Sequence, residues 1–162
     1  MKDRVREALF ARLGAAVVGK HAIDLFAGTG ALGLEALSRG AAQATFVEQH
    51  AVTAELIRQN IAALGVNEVS TVVHADAFYW ARHIRLASQP PWLAFVSPPY
   101  DFYADRAGDM IELIERLVTN SPPTSVIVVE ADERFDFRLL PRPAEWSLRE
   151  YPPAVVGILE IP

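Results

Sequence analysis

The sequence predicts an α/β fold: a mostly parallel sheet with helices on both faces and an antiparallel hairpin at the C-terminal end. Three observations carry that expectation. Across residues 21–129, short apolar runs alternate with stretches whose apolar residues recur at helical spacing, the pattern of strands joined by right-handed helical crossovers. The first four runs each stop at a polar or glycine-rich turn: the segment 24–30, Glu48, Asp76 and Ser97. Near the C-terminal end, two strand-like runs flank Pro152-Pro153 with no helical stretch between them, which reads as a hairpin.

In chain order, residues 2–13 read as a helix with Val5, Leu9, Phe10 and Leu13 on one face, because those positions follow a 3.6-residue period. A strand ends at Phe26, and a glycine turn leads into a helix over residues 31–39, closed by Gly40 as a C-terminal cap. Residues 44–47 form the second strand, 51–64 a helix stopped by Gly65, and 69–75 the third strand. A short helix is expected over residues 77–86, a buried strand over 92–96 and a crossover helix over 105–119, left through Pro122-Pro123. The fifth strand is expected at 125–129, and weaker strands at 146–151 and 154–161 complete seven. Ligands of such sheets bind at the carboxyl ends of the strands. Gly28 and Gly30, Glu48, Asp76 and Ser97 should therefore converge on one edge.

With 162 residues and neither repeat nor linker, residues 1–162 read as one domain, able to bury roughly 70% of its unfolded surface. The chain is 51% hydrophobic and 22% charged, an ordinary soluble balance, and no apolar run approaches the ~20 residues of a membrane span. Cysteine is absent, which excludes disulfides and thiolate-bound metal. His21, His50, His74 and His83 lack metal-ligand spacing, so no metal is expected. These features suit a cytoplasmic monomer. A net charge of −5 argues against an independent nucleic-acid binder. Basic residues nonetheless cluster at Lys2, Arg4, Arg6 and Arg12, and at Arg82, His83 and Arg85; solvated helix faces are the plainer reading of both groups.

The motif Asp24-Leu25-Phe26-Ala27-Gly28-Thr29-Gly30 supplies glycines for a tight turn and close backbone approach at a helix N-terminus. With Gly33 and Glu48 it also satisfies a dinucleotide fingerprint, so an NAD-dependent oxidoreductase is one rival. Asp24 within the motif, Asp76 after the third strand and the lack of length for a substrate domain favour S-adenosylmethionine instead. Glu48 would accept from the ribose hydroxyls, Asp24 would lie near the methionine ammonium, directly or through water, and Asp76 with the Ala77 backbone would hold the adenine edge. Phe26, Ala27, Gly28 and Gly30 would shape the cradle, and Ser97 at the end of the fourth strand would border the cofactor as well.

Ser97-Pro98-Pro99-Tyr100 ends the buried fourth strand. Two prolines fix φ and remove two N–H donors, leaving a rigid turn of outward-facing carbonyl oxygens between a hydroxyl and an aromatic ring. Acceptors beside a stacking face suit the exocyclic amino group of a nucleobase. Phe102 and Tyr103 either extend the stacking surface or simply pack.

Asp3-Arg4-Val5-Arg6-Glu7-Ala8-Leu9-Phe10, the block 24–40, Phe46-Val47-Glu48, Asn60, Asp76-Ala77, the Pro-Pro-Tyr turn and Trp146-Ser147-Leu148 resemble the RsmD-type small-subunit ribosomal RNA guanine-N2 methyltransferases over nearly the whole chain. The resemblance implies a three-layer, Rossmann-like class I methyltransferase fold with seven strands. It also implies S-adenosylmethionine as donor, S-adenosylhomocysteine as product, and guanine N2 of ribosomal RNA, naked or in the small subunit, as acceptor. Family members usually open this turn with Asp, where this sequence has Ser97; Ser-Pro-Pro-Tyr occurs among DNA amino-methyltransferases. The alternatives are therefore cytosine N4 or adenine N6 as target, or a catalytically weak methylase-like binding module. The family also usually carries a basic, strand-forming segment ahead of the Asp3-Arg4-Val5-Arg6 stretch, near which this sequence begins, and less of that segment means weaker RNA affinity.

Overall fold

A computed structural model describes residues 1–86 and 90–162. Its core element is a seven-stranded sheet: β1 (His21–Asp24), β2 (Gln43–Glu48), β3 (Ser70–His74), β4 (Trp92–Val96), β5 (Val126–Asp132), β6 (Ser147–Tyr151) and β7 (Ala154–Glu160). The strand order is β3-β2-β1-β4-β5-β7-β6. Neighbours among β1 to β5 run parallel, whereas β7 is antiparallel to both β5 and β6. The order reverses between β1 and β4, the position at which doubly wound sheets open a crevice for ligands.

The central strands are buried on both faces, so they read as continuous apolar runs and side chains alternate between two cores. Leu93 and Phe95 of β4 join Phe46, Ala22 and Val128 on one side of the sheet. That side is covered by the helices α1 (Asp3–Leu13), α2 (Ala31–Ser38) and α3 (Ala51–Leu64). Trp92, Ala94 and Val96 join Ile23, Val47 and Ile127 on the other, under α4 (Ala77–Arg82), α5 (Phe102–Asp105) and α6 (Ala107–Asn120). The apolar stripe of α1 is the expected one: Val5, Leu9, Phe10 and Leu13 are its buried residues.

Two spacing devices bring α2 against the sheet. Gly28 and Gly30 take left-handed φ of 55° and 85°, which residues with a Cβ rarely adopt, and Gly30 N–H closes the turn on the Ala27 carbonyl at 2.7 Å. At Gly33 a Cβ would lie 2.4 Å from Phe46 Cε1, so only glycine lets α2 sit this close to β2.

Several boundaries differ from expectation. The helix expected over residues 105–119 is α6, and a separate short helix that was not expected, α5, precedes it, the two broken at Arg106 (φ −132°, ψ 38°). Arg106 lies 3.9 Å over the Phe78 ring and pairs with Asp109 at 2.9 Å. Helix α4 ends at Arg82 rather than 86, and residues 87–89, beyond that expected end, lie outside the described residues. Strand β5 runs on to Asp132 because β7 pairs with it as far as Asp132↔Ala154. Among the described residues, no helix is long and apolar enough to cross a membrane.

Candidate active site

The tips of β1 to β4 meet in one cleft. Its walls are Leu25, Phe26 and Gly28 after β1, Val47 to His50 at the end of β2, Asp76 and Ala77 after β3, and Ser97, Pro99 and Phe102 after β4. The structure thus brings Phe26, Gly28, Glu48, Asp76, Ala77 and Ser97 together, as expected from their positions in the sequence. Ala27 and Gly30 shape the turn behind the wall without lining it. Leu25, Val47, Gln49, His50 and Phe102 were not singled out as cofactor residues. Leu25, Val47 and Gln49 each adjoin a residue that was and His50 lies just beyond Glu48, whereas Phe102 was weighed only as stacking surface and reaches the cleft through the turn after β4.

Glu48 is buried, 7% exposed, and its two oxygens are already organised. Oε2 accepts from Gly28 N–H and Oε1 from His50 N–H, both at 2.9 Å. A carboxylate oxygen accepts more than one hydrogen bond, so both retain capacity for a diol. The Asp76 carboxylate both lines the cleft and caps α4, with Oδ1 accepting from Tyr79 N–H at 2.9 Å. The capping role and the cleft position coexist. Phe102 closes the cleft in a cluster with Phe26 and Phe78, ring centroids 6.1 and 6.0 Å away. Tyr103, by contrast, is buried and donates its hydroxyl to the Glu130 carbonyl at 2.9 Å, so it packs rather than offering a stacking face.

Asp24, expected near a ligand ammonium directly or through water, stands behind the cleft wall. It is buried, 1% exposed, and does not line the cleft. One oxygen accepts from Gly33 N–H at 3.1 Å, tying α2 to the end of β1, while Oδ1 is buried with no hydrogen-bond partner. Burial pushes its pKa up to about 7, against the opposing pull of the Gly33 N–H and the Met1 amine. A half-satisfied carboxyl held at this cost, behind the cleft wall, is poised to respond to a cation.

On the other side of the Pro-Pro turn lies a second, more open cavity lined by Met1, Lys2, Ser97, Pro98, Pro99, Tyr100 and Glu130. Ser97 and Pro99 belong to both cavities, so the turn is the partition between them. The Ser97 hydroxyl donates to Glu130 Oε2, and the Tyr100 hydroxyl donates to Glu130 Oε1 at 2.8 Å. Burial first, and the Glu130 carboxylate second, raise the Tyr100 pKa, so the phenol stays a neutral donor. The Met1 amine donates to Ser97 Oγ at 3.3 Å. Glu130 was missed by sequence reasoning. The signal was available, since it is the first carboxylate after the apolar run of β5, as Glu48 is after that of β2.

The basic groups divide. Arg82 is held by Asp109 at 2.8 Å and Glu112 at 3.0 Å, a brace between α4 and α6 that accords with the solvated-face reading. His83 stacks on Tyr79 with centroids 4.3 Å apart. Arg12 donates to Ser147 on β6. Lys2 lines the second cavity, beside the outer face of the turn.

Comparison with known proteins gives consistent results. A family model described as conserved hypothetical protein 95 matches residues 1–151. Ribosomal RNA small subunit methyltransferase D of Escherichia coli K12 is 35% identical over 146 residues, covering 90% of this chain and 69% of that protein. A solved structure of E. coli YhhF, described as a candidate methyltransferase, superposes with a TM-score of 0.80 at 32% identity, covering 99% of this chain and 87% of that one. An RNA methyltransferase from Salinibacter ruber, solved with S-adenosyl-L-homocysteine, gives a TM-score of 0.70 at 18% identity, covering 100% and 93%. That last likeness is one of fold.

Proposed function

The chain belongs to the conserved hypothetical protein 95 family, that of ribosomal RNA small subunit methyltransferase D, and from that premise we propose that it transfers a methyl group from S-adenosylmethionine to the exocyclic amino group of a base, guanine N2 in small-subunit ribosomal RNA. One observation carries the reading beyond family membership: two cavities back onto a single rigid turn, sharing Ser97 and Pro99. A donor in the first and a flat base in the second would meet across that wall.

The residues of the first cavity fit the donor. Glu48 retains acceptor capacity for ribose hydroxyls. Asp76 and the Ala77 backbone stand at the next strand end for the adenine edge. The unpartnered Asp24 Oδ1 supplies negative potential for an ammonium from behind the wall. When bound, the donor supplies an electrophilic methyl on a sulfonium whose departure leaves a neutral thioether.

An aryl amine attacks poorly because its lone pair is delocalised into the ring. On this reading, Ser97 Oγ and the Pro98 carbonyl accept its two N–H bonds and favour a more tetrahedral nitrogen. Tyr100, pinned by Glu130, stacks on the base and aims the nitrogen through the partition. Orientation and electrostatics then provide the catalysis. The base must be unstacked to enter.

The test is transfer of labelled methyl from S-adenosylmethionine to small ribosomal subunits and to naked ribosomal RNA, followed by nucleoside digestion. Label in N2-methylguanosine is the expected result. Label in N4-methylcytidine or N6-methyladenosine would correct the base, and no label on either substrate would contradict the reading.

A further inference from the structure

Resting on the methyl-transfer reading, we infer that Glu130 is the positioning carboxylate of the acceptor side. It holds the Ser97 hydroxyl so that the oxygen faces the incoming amine as an acceptor, and it receives the amine's surplus proton through that hydroxyl.

The placement follows from the sheet. Val96 of β4 is registered with Val129 of β5 in a parallel pair, so Ser97 and Glu130 are the next residues on neighbouring strands. Their side chains meet at the sheet's carboxyl edge. Glu130 is 2% exposed, and Val126, Ile127, Val128 and Val129 before it are apolar. Burying a carboxylate there is costly unless donors compensate it, and a further apolar residue would continue the strand at less expense. The donors are the Ser97 hydroxyl on Oε2 and the Tyr100 hydroxyl on Oε1, with the Met1 amine 3.5 Å from Oε2. Tyr103 meets only the backbone carbonyl of Glu130. Two of the three residues that carry the proposed chemistry, Ser97 and Tyr100, thus share one carboxylate.

A neutral serine would otherwise be a weak polariser for an aryl amine. Because Ser97 gives its own proton to Glu130, one lone pair is left for the substrate beside the one that the Met1 amine meets at 3.3 Å, and the carboxylate behind it makes the oxygen a stronger acceptor. In the reaction the N–C bond forms as the C–S bond breaks. The methylated nitrogen then passes one proton to Ser97 Oγ while the Ser97 proton moves to Glu130 Oε2. Glu130 afterwards yields it to water, restoring the starting state.

The experiment compares wild type, Glu130→Gln, Ser97→Ala and the double variant, using labelled donor with small ribosomal subunits and S-adenosylhomocysteine calorimetry. Glu130→Gln should lower kcat about tenfold or more, leaving KM for the subunit and the affinity for S-adenosylhomocysteine within about twofold. The double variant should be no more than about twofold slower than Ser97→Ala, because coupled residues are not additive. Unchanged kcat in Glu130→Gln, multiplicative losses in the double variant, or a parallel loss of cofactor affinity would each overturn the inference. If the amide variant does not fold, Glu130→Asp decides: about fivefold loss of kcat with normal cofactor binding supports the inference, and wild-type kcat overturns it. No transfer by the wild type would overturn the methyl-transfer reading itself, whereas an active wild type with an unaffected Glu130→Gln removes this inference alone.

Discussion

Asp24→Asn is expected to gain stability over the wild type as pH rises, the difference growing by about 4 kcal/mol between about pH 4 and about pH 8. The sign comes from burial. Asp24 has a folded-state pKa of about 7 against an ordinary value of 3.8, so between those values the unfolded chain releases a proton that the native state keeps. The native state therefore loses stability as pH rises through that window, the reverse of a salt-bridged aspartate. An asparagine carries no such charge, and its carbonyl can still accept from Gly33 N–H. The difference between variants is the proper readout, because His21, whose pKa burial lowers, contributes the opposite slope to both proteins. Urea unfolding of both at several pH values checks the effect; parallel curves would contradict it. A cationic ligand group in the cleft should also draw the Asp24 proton off. Wild-type affinity for S-adenosylhomocysteine should then rise towards alkaline pH and flatten in the variant.

Ser97→Ala should lose methyl transfer by about tenfold or more (about 1.4 kcal/mol or above) while keeping cofactor affinity. Ser97 lines both cavities, but the polar groups assigned to the donor lie on β1, β2 and the β3 tip, so the deleted hydroxyl costs the amine an acceptor rather than the cofactor a partner. It also removes one donor from the buried Glu130 carboxylate, and a buried acceptor stripped of a partner costs about 1–3 kcal/mol. A modest fall in melting temperature should accompany the loss of turnover. Single-turnover kinetics with calorimetry on the same preparation separate the two. Wild-type turnover would contradict the role, as would a fall in cofactor affinity matching the fall in rate.

The architecture was legible where local pattern and tertiary context agree. The apolar runs at β2 and β4 and the 14-residue helix α3 carry their own boundaries in periodicity and capping glycine, whereas β1 stops at Asp24, short of the Phe26 expected for it. Glu48, Asp76 and Ser97 could be assigned to one edge because a parallel sheet puts every strand's carboxyl end on the same side. Long-range pairing was not legible. β5 extends past Val129 only because β7 supplies partners as far as Ala154, and that extension carries Glu130 to Ser97. The break at Arg106 likewise depends on Phe78 and Asp76, which are distant in sequence. Asp24 illustrates the third kind of gap. Its motif marks it as functional, but its depth behind the cleft wall depends on how closely Gly33 and Phe46 pack.

The most direct test of the account is nucleoside mass spectrometry of small-subunit ribosomal RNA from cells lacking the gene, complemented with the wild type or with Ser97→Ala. The account predicts one N2-methylguanosine missing in the deletion strain, restored by the wild type and restored poorly or not at all by the variant. An unchanged methylation pattern in the deletion strain would contradict it.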